Sequence, residues 1–254
     1  MKINFLGTGT SQGVPVIACD CVVCRSSDKR DKRLRTSLYL EWDNKGLVID
    51  TGPDFRYQML RLGVQRLDGI LFTHSHKDHI AGLDDVRAFN RKQGKPIDIY
   101  ADLNVHDALK REFFYAFHPK AYFGVPQLNL LTIEANQAFW VFGKSVLPIQ
   151  VLHYRMPVLG FRFGDFTYIT DAKTISEESI SKITGTRILV LNALQQEDHI
   201  SHMTLEEAIA MARHIGAEQT YFTHISHNMG LHEEIQAILP EGMFLAYDEL
   251  ELEL

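Results

Sequence analysis

The stretch FTHSHKDHIAG, Phe72–Gly82, places His74, His76, Asp78 and His79 within six residues, directly after the apolar run GILF. Four donors so close cannot all reach one ion without strain, but they can serve two adjacent ions. His74 and His76 lie two apart, so in an extended chain their imidazoles face the same way. Asp78 and His79, past the turn, are then free to address a second ion. Buried without metal, this run would carry a heavy desolvation cost, which sets the metal reading above that of surface histidines in a polar loop.

Two ions about 3.5 to 4 Å apart need further ligands and usually a bridging carboxylate. Candidates stand at the ends of other apolar runs: His153 closes LPIQVLH, Asp171 closes FTYITD and His224 closes QTYFTH. Each is weak alone, and together with the His74 cluster they make a set. Asp50, ending GLVID before Thr51 and Gly52, either orients a metal histidine through its free ring nitrogen or simply turns the chain.

The surrounding chain reads as α/β. KINFLG, SLYLEW, GLVIDTG and DGILFTH have the apolar character of strands bounded by turn residues. PDFRYQMLRLG is a short helix closed by Gly63, DDVRAFNRKQG is helical, PIDIYAD is a strand, and NVHDALKREFFYAF has apolar residues at helical spacing. The middle, from LNLLTIE through AFWVFGKSVLPIQVLH to GFRFGDFTYITD, is rich in hairpins. Helices TISEESISKI, TLEEAIAMARHIG and GLHEEIQAIL then alternate with strands RILVLNA and QTYFTHI. Hairpins followed by strand and helix alternation, twice over, predict two sheets packed face to face with helices outside. At 254 residues and 45% apolar content, one domain over 1–254 is expected.

No apolar run approaches the length of a membrane span or a secretory core, so a cytoplasmic protein is expected. A net charge of -6 gives no general footprint for nucleic acid. The basic run RSSDKRDKRLR, Arg25–Arg35, reads as a solvated loop. All three cysteines fall in IACDCVVCRSS, as Cys19, Cys21 and Cys24. In a reducing compartment such a cluster points to metal or catalysis before disulfides; a reactive thiol pair is the competing reading.

His74-Ser75-His76-Lys77-Asp78-His79, followed in order by His153, Asp171 and His224, resembles the metal motif of the metallo-β-lactamase superfamily. The resemblance runs from INFLGTGTSQGVP to FTHISH. It implies an αββα sandwich of two mixed sheets with outer helices, with His74, His76 and His153 on one ion, Asp78, His79 and His224 on the other, and Asp171 bridging. GTGTSQGVP, the Cys-x-Cys-x-x-Cys cluster and the His-x-x-His ending are similar to the phosphoribosyl 1,2-cyclic phosphate phosphodiesterases, the PhnP-like branch. That likeness implies a structural zinc on Cys19, Cys21, Cys24 and His227. Three thiolates and an imidazole make a closed tetrahedron with no place for substrate, so the physical reading agrees.

The expected cofactors are thus two catalytic divalent ions, zinc or manganese, and one structural zinc. Two ions acidify a water and neutralise charge on a leaving oxygen, and a site of histidines and aspartates suits hydrolysis rather than redox. Asp78 and His202 are the expected catalytic residues. His202 precedes the helix beginning near Thr204, where the dipole favours anions, and the resemblance places its counterpart in the active site, as phosphate binder or general acid.

The expected function is hydrolysis of a small cyclic or diester sugar phosphate. A tRNA 3′-end endonuclease shares the motif, but no long basic, glycine-rich arm is visible. A glyoxalase II-like thioester hydrolase lacks the cysteine cluster, and a non-catalytic metal module would leave the ligand set without a use. Arg155, following His153, contacts a phosphate or lies idle at the surface. The aromatic run 109–127 serves a dimer contact, a lid or plain core packing.

Overall fold

A computed structural model describes residues 1–118 and 124–254. The first sheet contains β1 (Lys2–Gly7), β2 (Ser37–Trp42), β3 (Lys45–Ile49), β4 (Gly69–Leu71), β5 (Ile97–Ala101) and β6 (Leu128–Thr132). The second contains β7 (Phe139–Val141), β8 (Lys144–His153), β9 (Met156–Phe163), β10 (Phe166–Tyr168), β11 (Ile188–Asn192), β12 (Gln219–Thr223) and β13 (Met243–Leu245). The final strand β14 (Glu251–Glu253) returns to the first sheet and pairs antiparallel with β1. The strand orders are β14-β1-β2-β3-β4-β5-β6 and β13-β12-β11-β10-β9-β8-β7.

Strand alternation explains the layering. Leu47 and Ile49 of β3 join Phe161, Phe166, Tyr168 and Val190 in the core between the sheets. Val48, between them in sequence, faces outward with Phe55, Met59, Val105 and Leu109 of the covering helices. On β11, Ile188 and Val190 point inward while Leu189 and Leu191 pack under Leu205, Ala208 and Ala212 on the other side. The central strands are therefore covered on both faces, and such strands read as nearly continuous apolar runs. The result is the αββα sandwich.

Helix ends follow local chemistry. Gly63, with φ 68°, closes the helix Phe55–Leu62 in the left-handed conformation. Thr204 and Glu207 form a reciprocal capping box at the helix Leu205–Ile215. One expectation needs correction. The helix read through NVHDALKREFFYAF breaks at Phe113 into Leu103–Glu112 and Phe114–Phe117, because Phe113 (φ -117°, ψ 38°) leaves the helical region while its ring is buried. Of the aromatic run 109–127, residues 119–123 lie outside the described residues.

The basic run is no plain solvated loop either. Asp31 and Arg33 are buried. Arg33 donates to the Thr8 hydroxyl at 2.8 Å and to the Ala246 carbonyl at 2.5 Å, and contacts His232 Nδ1 at 3.1 Å. Asp31 accepts the His232 backbone N–H at 2.8 Å. The run thus fastens the cysteine loop to the C-terminal segment.

Candidate active site

The candidate residues gather where strands of both sheets end, the usual place for a site in α/β architecture. Asp50 follows β3, His74 stands just beyond β4, His153 ends β8, Asp171 lies beyond β10 and His224 follows β12. Asp50, Asp171 and His224 have φ of 62°, 58° and 57°. This left-handed conformation costs a non-glycine residue about 1–2 kcal/mol. In exchange, the chain turns out of its strand at once and holds each side chain at the junction of the sheets. Asp78 and His79 sit on the single-turn helix Lys77–Ile80 rather than in an extended loop. Gly52 lets this turn approach, since a Cβ there would stand 2.1 Å from the Asp78 carbonyl oxygen.

Hydrogen bonds fix three imidazoles in one tautomer. His79 Nδ1 lies 2.7 Å from Asp50 Oδ2, and an ionised carboxylate only accepts, so Nδ1 donates. The Thr73 hydroxyl donates to the same Oδ2 at 2.8 Å, so its oxygen accepts from His74 Nδ1 at 2.9 Å. His153 Nδ1 donates to the Ser201 carbonyl at 2.9 Å. With Nδ1 so engaged, each ring has its Nε2 left over for an ion. Asp50, fully buried, orients His79 directly and His74 through Thr73.

Nε2 atoms of His79 and His224 converge on the two aspartates. His79 Nε2 lies 3.2 Å from Asp78 Oδ2 and 3.3 Å from Asp171 Oδ2; His224 Nε2 lies 3.2 Å from Asp171 Oδ1. The two oxygens of Asp171 thus face different histidines, the disposition a bridging carboxylate requires. Donor atoms of His74, His79 and Asp171, of Asp78, His79 and His224, and of His153, Asp171 and His202 fall within 4.8 Å of one another. Among the described residues no such trio includes His76, which is solvent-exposed. Its ring instead completes a triangle with His74 and His153, with centroid separations of 4.6, 5.2 and 6.1 Å. Three imidazoles around one tetrahedral ion, with N–ion bonds near 2.0–2.1 Å, would stand roughly 5 Å apart.

The donor set fits divalent ions. His74 Nε2, His79 Nε2 and both nitrogens of His224 are buried without a hydrogen bond, and an unsatisfied buried polar group costs about 1–3 kcal/mol. Coordination removes that cost. Although burial alone would raise it, His224 and His79 hold the Asp171 carboxyl well below its ordinary range, ready to ligate.

His202 stacks on His224 at 4.7 Å and lies 4.4 Å from the His153 ring, with Nδ1 3.9 Å from Asp171. Burial, with His224 beside it, lowers its pKa to about 2, so the free ring is neutral. The sequence reading passed over Thr73 and Ser201; only the tautomer argument reveals them.

On the far side of His224, the cysteine loop meets the end of the same segment. Sγ atoms of Cys19, Cys21 and Cys24 lie 3.2, 3.4 and 3.6 Å from His227 Nδ1. A tetrahedral zinc with bonds of 2.3 Å to sulfur and 2.0–2.1 Å to nitrogen sets this edge at roughly 3.6 Å. The Cys24 N–H pulls the Cys21 thiol down to about 6, while burial pushes Cys24 up to about 11. Residues Thr8–Thr10 bond Ile225 on both sides, with Ile225 N–H to Thr8 O at 2.8 Å and Thr10 N–H to Ile225 O at 3.1 Å. These bonds splint the backbone between His224 and His227.

Residues 46–225 match the family model described as a β-lactamase superfamily domain. A crystal structure described as a new diphosphatase from the PhnP family superposes with a TM-score of 0.93 at 41% identity, covering 100% of this chain and 97% of that one. Zinc-bound PqqB from Methylobacterium extorquens superposes with a TM-score of 0.83 at 21% identity, covering 100% of both chains, a likeness of fold. An octanoyltransferase from Porphyromonas gingivalis is 40% identical over 253 residues, which are 99% of this chain but 51% of that protein. The chain spans about half the length of the curated relatives it matches first. With the sandwich and its histidine motif in place, the match shows that the chain belongs to the β-lactamase superfamily, within its PhnP family.

Proposed function

We propose that the protein is a dinuclear phosphoric ester hydrolase acting on a small diester, with a separate structural zinc. The observation that supports this best is the set of buried, hydrogen-bond-orphaned imidazole nitrogens around Asp171. His74, His76 and His153 would hold one ion and Asp78, His79 and His224 the other, with Asp171 between them. Cys19, Cys21, Cys24 and His227 would hold the zinc. Bound divalent ions supply an acidified water and charge neutralisation at the phosphoryl oxygens.

The chain's own residues do the rest. Asp50, Thr73 and the Ser201 carbonyl hold three rings in the ligating tautomer. His202, neutral when the site is free, offers one N–H to a phosphoryl oxygen. To serve as general acid it must gain a proton, which the negative charge of a bound phosphoryl group favours. The capping-box helix Leu205–Ile215 begins three residues later and adds a positive dipole end.

The 41% identity to a diphosphatase favours a second reading of the scissile bond, a phosphoric anhydride between two substituted phosphates. Either bond presents the same phosphoryl centre. The reading is tested by stripping the protein with chelator and reloading it with zinc or manganese. Turnover of a chromogenic phosphodiester should vanish and return, and Asp171→Ala should not recover it. Turnover indifferent to chelation would refute the assignment.

A further inference from the structure

The hairpin joining β8 to β9 turns in two residues, since His153 pairs directly with Met156. Its tip is Tyr154-Arg155. Tyr154 has φ 55°, a conformation that such a turn normally assigns to glycine or asparagine. A bulky aromatic there is strained by about 1–2 kcal/mol, and nothing in the core repays it, because the ring is 49% exposed. The Arg155 guanidinium lies 5.1 Å from the centre of that ring. Among the described residues Arg155 has no acidic partner, whereas Lys77 and Lys173, near other parts of the site, are paired with Glu112 and Glu207. The neighbouring His153 ring stands 5.2 Å from His76 and 4.4 Å from His202. An unneutralised guanidinium stacked on an exposed aromatic face is thus fixed two residues from a proposed metal ligand.

We propose that Tyr154 and Arg155 form a recognition clamp for the departing half of the substrate, and that this half is nucleotide-like. The guanidinium pairs with a second phosphate and a planar base stacks on the tyrosine or the guanidinium. The substrate class is then a nucleoside diphosphate ester. This rests on the hydrolase reading and narrows it. In the reaction, water gives its hydroxyl to one phosphorus as the bridging P–O bond breaks. The bridging oxygen leaves on the other phosphate and takes up the remaining proton, so two monophosphates form with no other reactant.

Both residues sit on an exposed turn, so substitution spares the fold, and metal content serves as the check. Metal-loaded wild type, Arg155→Ala, Arg155→Lys and Tyr154→Ala are compared on an adenosine diphosphate sugar and on bis(p-nitrophenyl) phosphate, which lacks the second phosphate. Arg155→Ala should raise KM for the nucleotide at least about tenfold, with the chromogenic diester unaffected. Tyr154→Ala should raise the same KM several-fold, and Arg155→Lys should recover part of the loss. Unchanged KM for the nucleotide, or equal losses on both substrates, would overturn the clamp. Wild type that cleaves only the chromogenic diester would refute the clamp and leave the hydrolase reading standing. Should neither be cleaved, the hydrolase reading fails, and calorimetry with the nucleotide decides the clamp: wild type must bind at least about tenfold more tightly than Arg155→Ala, and equal or absent binding refutes it.

Discussion

Replacing Asp50 by asparagine would probe how far the proposed metal centre depends on a residue outside its ligand set. The backbone at φ 62° accepts asparagine as readily as aspartate, and the side chains have nearly the same volume. One oxygen can still accept the Thr73 N–H, now made at 2.9 Å. The other position becomes an NH2 facing His79 Nδ1 across 2.7 Å and the Thr73 hydroxyl across 2.8 Å. Two donors cannot share the first contact, so His79 must move its proton to Nε2, the nitrogen that faces Asp78 and Asp171. The Thr73 hydroxyl loses its acceptor as well and can turn its proton to His74 Nδ1, so His74 is no longer held in the ligating tautomer.

Removing a partner of this kind weakens metal affinity about 10–100-fold, or about 1.4–2.7 kcal/mol. Because each of the two proposed ions would lose an oriented ligand, the upper end is expected. Titration against a competing chelator should show that loss at the dinuclear pair, with the cysteine-bound zinc and the circular dichroism spectrum unchanged. Wild-type affinity at the pair would refute the role given to Asp50, and loss of all three ions would show a folding defect instead.

Further variants separate the parts of the account. His227→Ala should remove one zinc per chain and leave the dinuclear pair, as read by elemental analysis. His76→Ala should lower chromogenic diester turnover at least about a hundredfold with little change in melting temperature, since its ring is exposed. His202→Ala should lower kcat more than it alters KM if the ring acts in the transition state. Asp68, buried, accepts from Arg66 at 2.6 Å, Lys95 at 2.7 Å and the Gly46 N–H at 3.1 Å. Burial would raise its pKa, but these partners outweigh burial and hold it well below the usual carboxylate range. Its contribution is therefore full above the unfolded value near 3.9 and drains as pH falls below it. Asp68→Asn should cost about 2 kcal/mol at pH 7 in urea melts, and the gap from wild type should narrow by pH 3.

Much of the architecture can be read from local sequence because strands buried on both faces advertise themselves as apolar runs, and GLVID, GILF and RILVLN do so here. Motif residues are visible because their side chains carry the chemistry. Other features depend on distant partners. The strand ELE at β14 has no apolar signature and exists only as the antiparallel partner of β1. Asp31 and Arg33 look like members of a charged loop until their burial against Thr8, Ala246 and His232 is seen. Phe113 ends a helix that its spacing would continue, because its buried ring fixes where the chain must bend. The link from Asp50 through Thr73 to His74 is hidden for another reason: it is set by which way a backbone leaves two strands.

The proposed activity is hydrolysis of a small phosphoric diester or anhydride. Its most direct test is kcat/KM of the metal-loaded protein across one panel: phosphoribosyl 1,2-cyclic phosphate, a 2′,3′-cyclic nucleotide, an adenosine diphosphate sugar, a chromogenic diester, precursor tRNA and a glutathione thioester. A small phosphate ester or anhydride should lead by at least about a hundredfold, and chelation should abolish its turnover. Preference for the thioester or the precursor tRNA, or turnover that survives chelation, would contradict it.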